Sequence, residues 1–209
     1  MTIYKLSAER EKITEFISEI TKDWLKSSNQ FGMFEIRCIG EKPAFIKSYL
    51  PRDKDKAVDL IINKNQENFN VYMTINPIDP NAGTMKAAKD KDIKCAYFCF
   101  ADADDEKGIE GLELLSLKKP PDIIVNTGTV PYLRQHHYWR LTTPCTDMEK
   151  WRSYQKLIAT SCGTDPSIVN PSRIMRVAGT VSYPNPKKVL RGYKPELVTM
   201  TKGAAHGSK

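Results

Sequence analysis

Apolar side chains return every three or four positions through residues 7–26, where Ile13, Phe16, Ile17, Ile20 and Trp24 share one side of a helix and Ser7 is a plausible N-cap. The period then changes. Residues 33–39 ("MFEIRCI") and 44–50 ("AFIKSYL") read as two strands joined by a turn at Gly40–Pro43. Helical spacing resumes over 53–67, and 68–76 ("NFNVYMTIN") is again strand-like. Residues 77–92 are polar, lysine-containing and rich in turn formers, so they predict a loop. A compact apolar run opens at 95, followed by a short helix near 109–117, then strands at 122–128 and 136–142. The third clear helix spans 147–163 and stops at Gly163. Beyond it lie an irregular basic stretch, a last strand near 195–200 and a polar tail, 201–209.

Helices and strands are interspersed without strict alternation, which predicts an α+β fold with a largely antiparallel sheet. The 209 residues suit one domain of two lobes. The division expected is an N-terminal αβ lobe at 1–67, a larger lobe at 68–200 and the tail.

The run "CAYFCFADADDEKG" (95–108) sets an apolar strand directly against acids. Side chains alternate along a strand, so Ala96, Phe98, Phe100, Asp102 and Asp104 share one face and Tyr97, Cys99, Ala101 and Ala103 the other. Both faces are apolar up to Phe100, the pattern of a central strand covered on both sides. Two carboxylates then emerge together, about 7 Å apart along the strand. They repel unless a cation lies between them, and Mg²⁺ takes one or two protein carboxylates along with substrate phosphates. The plain alternative is a polar turn that ends a strand.

In "QHHYWRL" (135–141), His136, Tyr138 and Arg140 share one face, and His137, Trp139 and Leu141 the other. Trp139 and Leu141 are the expected core side, leaving His136 and Arg140 to look outward, onto the same cleft as the carboxylates. Because His136 and His137 point apart, they do not form a paired-histidine nuclease site. Asp165 in "CGTDPSIVNPSRIMRVAGT" (162–180) is either a helix N-cap ahead of Pro166 or a third metal carboxylate. Arg173 and Arg176 flank Ile174 and Met175, and arginines at a core edge require an anionic partner, a triphosphate or a structural carboxylate.

Charge sharpens this reading. The net charge is +7, and residues 170–209 hold eight basic residues against Glu196 alone, so the remainder is neutral and the C-terminal segment either meets a polyanionic partner or is simply a solvated basic face. No stretch approaches the roughly 18 apolar residues of a membrane span, and the charged N-terminus lacks the apolar stretch of a leader peptide. The five cysteines form no CxxC pair, which argues against a disulfide framework and against zinc, and favours a cytoplasmic setting.

The order of these features is more specific than any one of them. D-x-D at a strand end, then H-x-Y-W-R-L, a helix, and D-P-x(6)-R-x-x-R-x-x-G-T resemble the archaeo-eukaryotic primase superfamily, in its RepB-like and primase–polymerase branch carried by plasmids, phages and other mobile elements. The resemblance covers about residues 68–190. It implies a catalytic core on an RNA-recognition-motif-like sheet that joins nucleotides on a DNA template by extending primers, with de novo primer synthesis an open further activity that this chain is expected to perform weakly if at all. It implies two Mg²⁺ or Mn²⁺ ions held by Asp102, Asp104 and Asp165. It further implies that His136, Arg173 and Arg176 contact the triphosphate of a dNTP or NTP, with Gly179 and Thr180 completing the third motif and Lys187 and Lys188 standing where the family carries a lysine. A helicase, on the same chain or a separate one, is the expected further partner. Two departures stand out: Ser182 where the family often has asparagine, and "NTGTVPYLRQHH" where a glycine-rich loop with a serine usually precedes the histidine. Two rivals remain. A silent single-strand-binding module would use Tyr97 and Phe98 as stacking platforms, and a metal-dependent nuclease would need the acids but no triphosphate-binding set.

Overall fold

The computed structural model describes residues 6–24 and 32–203. Helix α1 (Arg10–Thr21), strands β1 (Phe34–Ile39) and β2 (Phe45–Tyr49), helix α2 (Lys54–Gln66) and strand β3 (Asn70–Thr74) come first. Then follow β4 (Ala96–Ala103), α3 (Glu106–Lys118), β5 (Ile123–Gly128), β6 (Arg134–Cys145) and α4 (Met148–Cys162). The chain closes through β7 (Ile174–Arg176), β8 (Val181–Ser182), α5 (Pro186–Val189), β9 (Glu196–Leu197) and β10 (Thr199–Lys202). Two four-stranded sheets result, ordered β2-β1-β3-β7 and β10-β5-β6-β4, with every pairing antiparallel, plus the small β8–β9 pair.

The main core lies between the sheets. Ile13, Phe16, Ile17 and Ile20 of α1 and Val58 and Ile61 of α2 meet Phe34, Ile36 and Met73 of the first sheet and Phe98, Phe100 and Tyr138 of the second. A smaller core packs Ile109 and Leu112 of α3 and Cys162 of α4 on Ala101 and Ala103, the opposite face of β4. Asp102 and His136 have the parity of Phe100 and Tyr138, so both stand where the main core reaches its edge.

Several expectations change. Across the expected boundary at 67/68, β3 and β7 join the sheet that β1 and β2 begin. β4 is an edge strand, not a central one. Its free edge is sealed by side chains: Asn76 Oδ1 accepts from Tyr97 N (3.1 Å), Gln155 bonds both Phe100 N (3.0 Å) and Phe100 O (2.9 Å), and Trp151 Nε1 donates to Phe98 O (2.9 Å). Each bond satisfies a buried backbone group that would otherwise cost about 1–3 kcal/mol. On β6 the core residue is Tyr138; Trp139 and Leu141 are only half-buried. Arg140 does not look onto the cleft either. It stacks over Phe98 and pairs with Glu19 (2.9 Å) and Asp23 of α1.

Helix α1 begins at Arg10 behind Glu9, so Ser7 is not its cap; positions 25–26 of the expected helix lie outside the described residues. Asp105, the last acid of the "ADADD" run, caps α3 through Gly108 N (2.8 Å) and lengthens that helix beyond the short one expected. Asp147 and Gly163, the latter left-handed at φ 65°, bound α4 as the sequence implies. Residues 201 and 202 of the expected tail pair with β5, whereas 204–209 lie outside the described residues. Gly179, at φ 85°, takes a conformation and a space that only glycine suits: an added Cβ would lie 2.7 Å from Ile13 N. Gly179 therefore serves to dock α1, with Glu9 N donating to Gly179 O (2.8 Å).

Candidate active site

A cleft of about 1030 Å³ opens between the two sheets. Asp102 and Asp104 line it beside His136, and Lys42, Arg134, Arg173, Arg176, Lys188 and Lys194 supply its positive charge. An anionic ligand is favoured over most of this wall, and a cation at its acidic end.

Asp102 and His136 are direct cross-strand partners on β4 and β6. The Asp102 side chain is 19% exposed, and its Oδ1 has no hydrogen-bond partner. Burial pushes this carboxyl up to about 7; the charge of Asp104 adds to the effect, and Arg173 opposes it. His136 Nε2 lies 3.5 Å from Asp102 Oδ1. This approach is not an ion pair: burial, reinforced by Arg176 and Arg173, pulls the imidazole down to about 3 and keeps it neutral. Its Nδ1 lies 3.1 Å from the Tyr138 hydroxyl, itself held as a phenol by burial well above its usual range. His137 faces away, buried, with Nε2 3.0 Å from Gln135 Oε1.

Arg176, on β7, is held rather than loose. Its Nη1 donates to Asn70 Oδ1 (2.7 Å), and its guanidinium stacks 5.0 Å over the Tyr72 ring. Arg173 approaches Asp165, with Nη2 3.8 Å from Oδ2. Asp165 caps a turn, accepting from Ser167 N (2.8 Å) and Ser167 Oγ (2.9 Å), and begins no helix. It is absent from the cleft lining, although Asp102 feels its charge. Lys188 lines the cleft and Lys187 does not.

The β5–β6 loop departs from a flexible glycine-rich strap. Arg134 Nη1 donates to Val130 O (2.8 Å) and Tyr132 O (3.0 Å), and its Nη2 pairs with Glu196 (3.0 Å). Glu196 also accepts from Thr129 N (2.7 Å) and Val130 N (3.2 Å). Gly128 leaves room for this pair, since an added Cβ would lie 1.8 Å from Arg134 Nη2. Sequence reasoning did not find Arg134, Asn70, Tyr72 or Tyr138 as parts of the site. The parity that links Arg134 and Tyr138 with His136 was the one available signal.

Among the described residues no three His, Cys, Asp or Glu side chains are gathered closely enough to hold a metal ion. What exists is a half-site: the orphaned, crowded Asp102 oxygen beside Asp104 fits a divalent cation, while Asp165 is engaged by Ser167 and Arg173. Tyr97 and Phe98, the stacking platforms expected of a silent binding module, are buried. No described helix is long and apolar enough to cross a membrane.

No family model matches the sequence, and no curated protein does. Solved structures share the fold. The AEP domain of the cyanophage S-2L primase–polymerase is 19% identical at a TM-score of 0.63, over 96% of this chain and 94% of that one. The primase RepB′ is 13% identical at a TM-score of 0.60, over 91% of this chain and 56% of that one. The RepB′ catalytic domain, solved in complex with initiator DNA, is 11% identical at a TM-score of 0.53, over 81% of this chain and 77% of that one. The fold is therefore that of a RepB-like primase–polymerase catalytic core, an α+β arrangement of antiparallel sheets.

Proposed function

From a chain with the fold of a primase–polymerase catalytic core, we propose template-directed nucleotidyl transfer, adding nucleotides to the 3′ end of a primer on a DNA template. The observation that carries this reading is Asp102: a largely buried carboxylate with an unpartnered oxygen, set with Asp104 in a cleft whose lining also carries Arg173, Arg176, Lys188 and Lys194. A general nucleic-acid-binding surface has no use for such a group, which repels phosphate.

Asp102 and Asp104 would hold the divalent ions, Mg²⁺ or Mn²⁺; Asp165, outside the cleft lining and engaged by Ser167 and Arg173, would join them as third carboxylate only on leaving those partners. When bound, a pair of such ions stabilises the entering and leaving oxygens of an in-line displacement at phosphorus. The chain's own residues do the rest. His136, neutral at working pH, donates a hydrogen bond from Nε2 to a phosphate oxygen, and the Tyr138 hydroxyl, donating to Nδ1, fixes that tautomer. Arg173 and Arg176 neutralise the β and γ phosphates as preset charges, and Asn70 and Tyr72 keep Arg176 in place before the nucleotide arrives. Lys188 borders the same space. Lys187 stands outside it and is available to a template backbone.

A non-hydrolysable deoxynucleoside triphosphate, titrated with Mn²⁺ into wild-type protein, His136→Ala and Arg176→Ala, tests the reading. Binding to the wild type that weakens at least about tenfold in both variants is expected when a charge-assisted hydrogen bond to phosphate is removed. Equal binding by all three removes the triphosphate site. Degradation of labelled DNA without added nucleotide would instead select the nuclease.

A further inference from the structure

The buried acid Glu35 has no role in the cleft. It sits on β1 with its side chain 0% exposed, on the sheet face opposite the main core. Both of its oxygens are committed: Oε1 accepts from Arg37 Nε (2.5 Å) and Oε2 from Ala88 N (2.6 Å). It therefore ties together one guanidinium and the middle of the loop at 77–92. Ser48 N donates to Thr84 O (2.8 Å) at one end of that loop segment. At the other end Asp90 binds Ser172 Oγ (2.7 Å) and Arg152 Nη2 (2.7 Å). The acids Asp90 and Asp92 are spent on hydrogen bonds within this anchorage, the latter accepting from Lys89 N (2.8 Å). Lys86, Lys89 and Lys91 remain exposed, and none makes an ion pair among the described residues. A segment that reads as a loose lysine loop is thus pinned at three points.

Arg37 links this loop to the catalytic cleft. It is the cross-strand partner of Tyr72, and Tyr72 is the partner of Arg176. The three side chains form one row across β1, β3 and β7, with strands about 4.8 Å apart. Tyr72 and Arg176 line the cleft. Arg37 is the next cation outward, fixed through its Nε, with its side chain 22% exposed. A buried carboxylate–guanidinium pair adds little to stability compared with apolar residues of similar size. Its clear physical effect here is to hold positive charge at fixed points along one line.

We propose that Arg37 and the pinned loop bearing Lys86, Lys89 and Lys91 form a binding strip for a single-stranded polynucleotide, leading into the cleft along the Arg37–Tyr72–Arg176 row, with Glu35 as the residue that positions it. The proposal builds on the polymerase reading, since it supplies the path of the template. Its chemistry is that of phosphodiester recognition: cations track a backbone and give affinity without sequence choice, and an aromatic ring lies between two guanidiniums.

The test is fluorescence anisotropy of a labelled oligothymidylate of about 20 nucleotides, longer than common single-strand sites of roughly 4–16, over a range of salt and without nucleotide. Arg37→Ala and the triple variant Lys86→Ala, Lys89→Ala, Lys91→Ala are expected to weaken binding about threefold to tenfold, and to flatten the slope of log affinity against log salt by about 0.7 for each phosphate no longer neutralised. Lys118→Ala, on the far helix α3, controls for a cation elsewhere and leaves both unchanged. Glu35→Gln separates positioning from bulk charge. It makes the protein more positive, so a bulk-charge effect tightens binding, whereas a failure of positioning weakens it. Wild-type affinity and slope in both Arg37→Ala and the triple variant overturn the proposal, as does a wild type that binds no oligonucleotide. Catalysis is not read in this assay. A protein that responds as expected but extends no primer loses the polymerase reading and keeps the strip; one that extends primers while the strip variants bind normally does the reverse.

Discussion

Replacing Asp102 with asparagine should stabilise the metal-free protein and at the same time end nucleotide incorporation. The stabilisation follows from the direction of the shift. A carboxyl raised from 3.8 to about 7 prefers its proton in the folded state, because burial and the neighbouring Asp104 charge disfavour the anion. Its contribution to stability is intact below the unfolded value and is lost progressively as pH rises through the folded one. Three units correspond to about 4 kcal/mol at most above neutrality. At about pH 5 the loss is already roughly 1.5–2 kcal/mol, so the increment between pH 5 and pH 8 is about 2–3 kcal/mol. Asparagine has no charge to lose. The melting-temperature advantage of Asp102→Asn over wild type should therefore grow by about 5–10 °C between those two pH values, for a chain of this size. Differential scanning fluorimetry in chelator-treated buffer measures it, and the change with pH is the quantity of interest, since the amide alters packing equally at every pH. Adding Mn²⁺ near pH 8 should raise the wild-type melting temperature and leave Asp102→Asn nearly unmoved. An advantage that is constant with pH would refute the buried, crowded carboxylate and the half-site built on it.

His136→Ala should lower kcat/KM for nucleotide by about 10–100-fold, the effect of removing one charge-assisted hydrogen bond to phosphate, as read by steady-state extension kinetics. His137→Ala should instead lower the melting temperature with kcat/KM nearly unchanged, because that imidazole is buried on the opposite face; equal kinetic losses would contradict the register. Tyr138→Phe keeps the buried ring but removes the hydroxyl 3.1 Å from His136 Nδ1, so a loss of about threefold to tenfold in kcat/KM at unchanged melting temperature is expected, and wild-type kinetics would show that the hydroxyl does not orient His136.

Local pattern carried much of the architecture. Period and punctuation located α1, α2, α4 and most strands, since each buries one clear stripe or face. Parity placed Asp102 with Phe100 and His136 with Tyr138, but it could not say which face of β6 is inside, because Tyr138 and Trp139 are both large and aromatic. That ambiguity sent Arg140 to the cleft, whereas it pairs with Glu19 and Asp23. The edge position of β4 was hidden for a related reason. A buried strand looks central in sequence, and here the missing partner strand is replaced by Asn76, Trp151 and Gln155, residues distant in the chain. The supports of the site are equally non-local: Asn70 reaches Arg176, and Glu196 reaches Arg134 across the loop. Asp165 shows the limit from the other side. Its spacing matches a resemblance, and its side chain serves a turn and Arg173 in this structure.

Primer extension tests the central claim most directly. A labelled primer annealed to a longer DNA template is incubated with Mg²⁺ or Mn²⁺ and either deoxynucleotides or ribonucleotides, using wild-type protein, Asp102→Asn and Asp104→Asn. The predicted result is template-directed elongation by the wild type with at least one nucleotide pool, abolished by chelator and reduced at least about a hundredfold in both variants while each remains folded. Elongation that persists at wild-type rate in the two variants, or no elongation by folded wild-type protein with either ion and either pool, would contradict it.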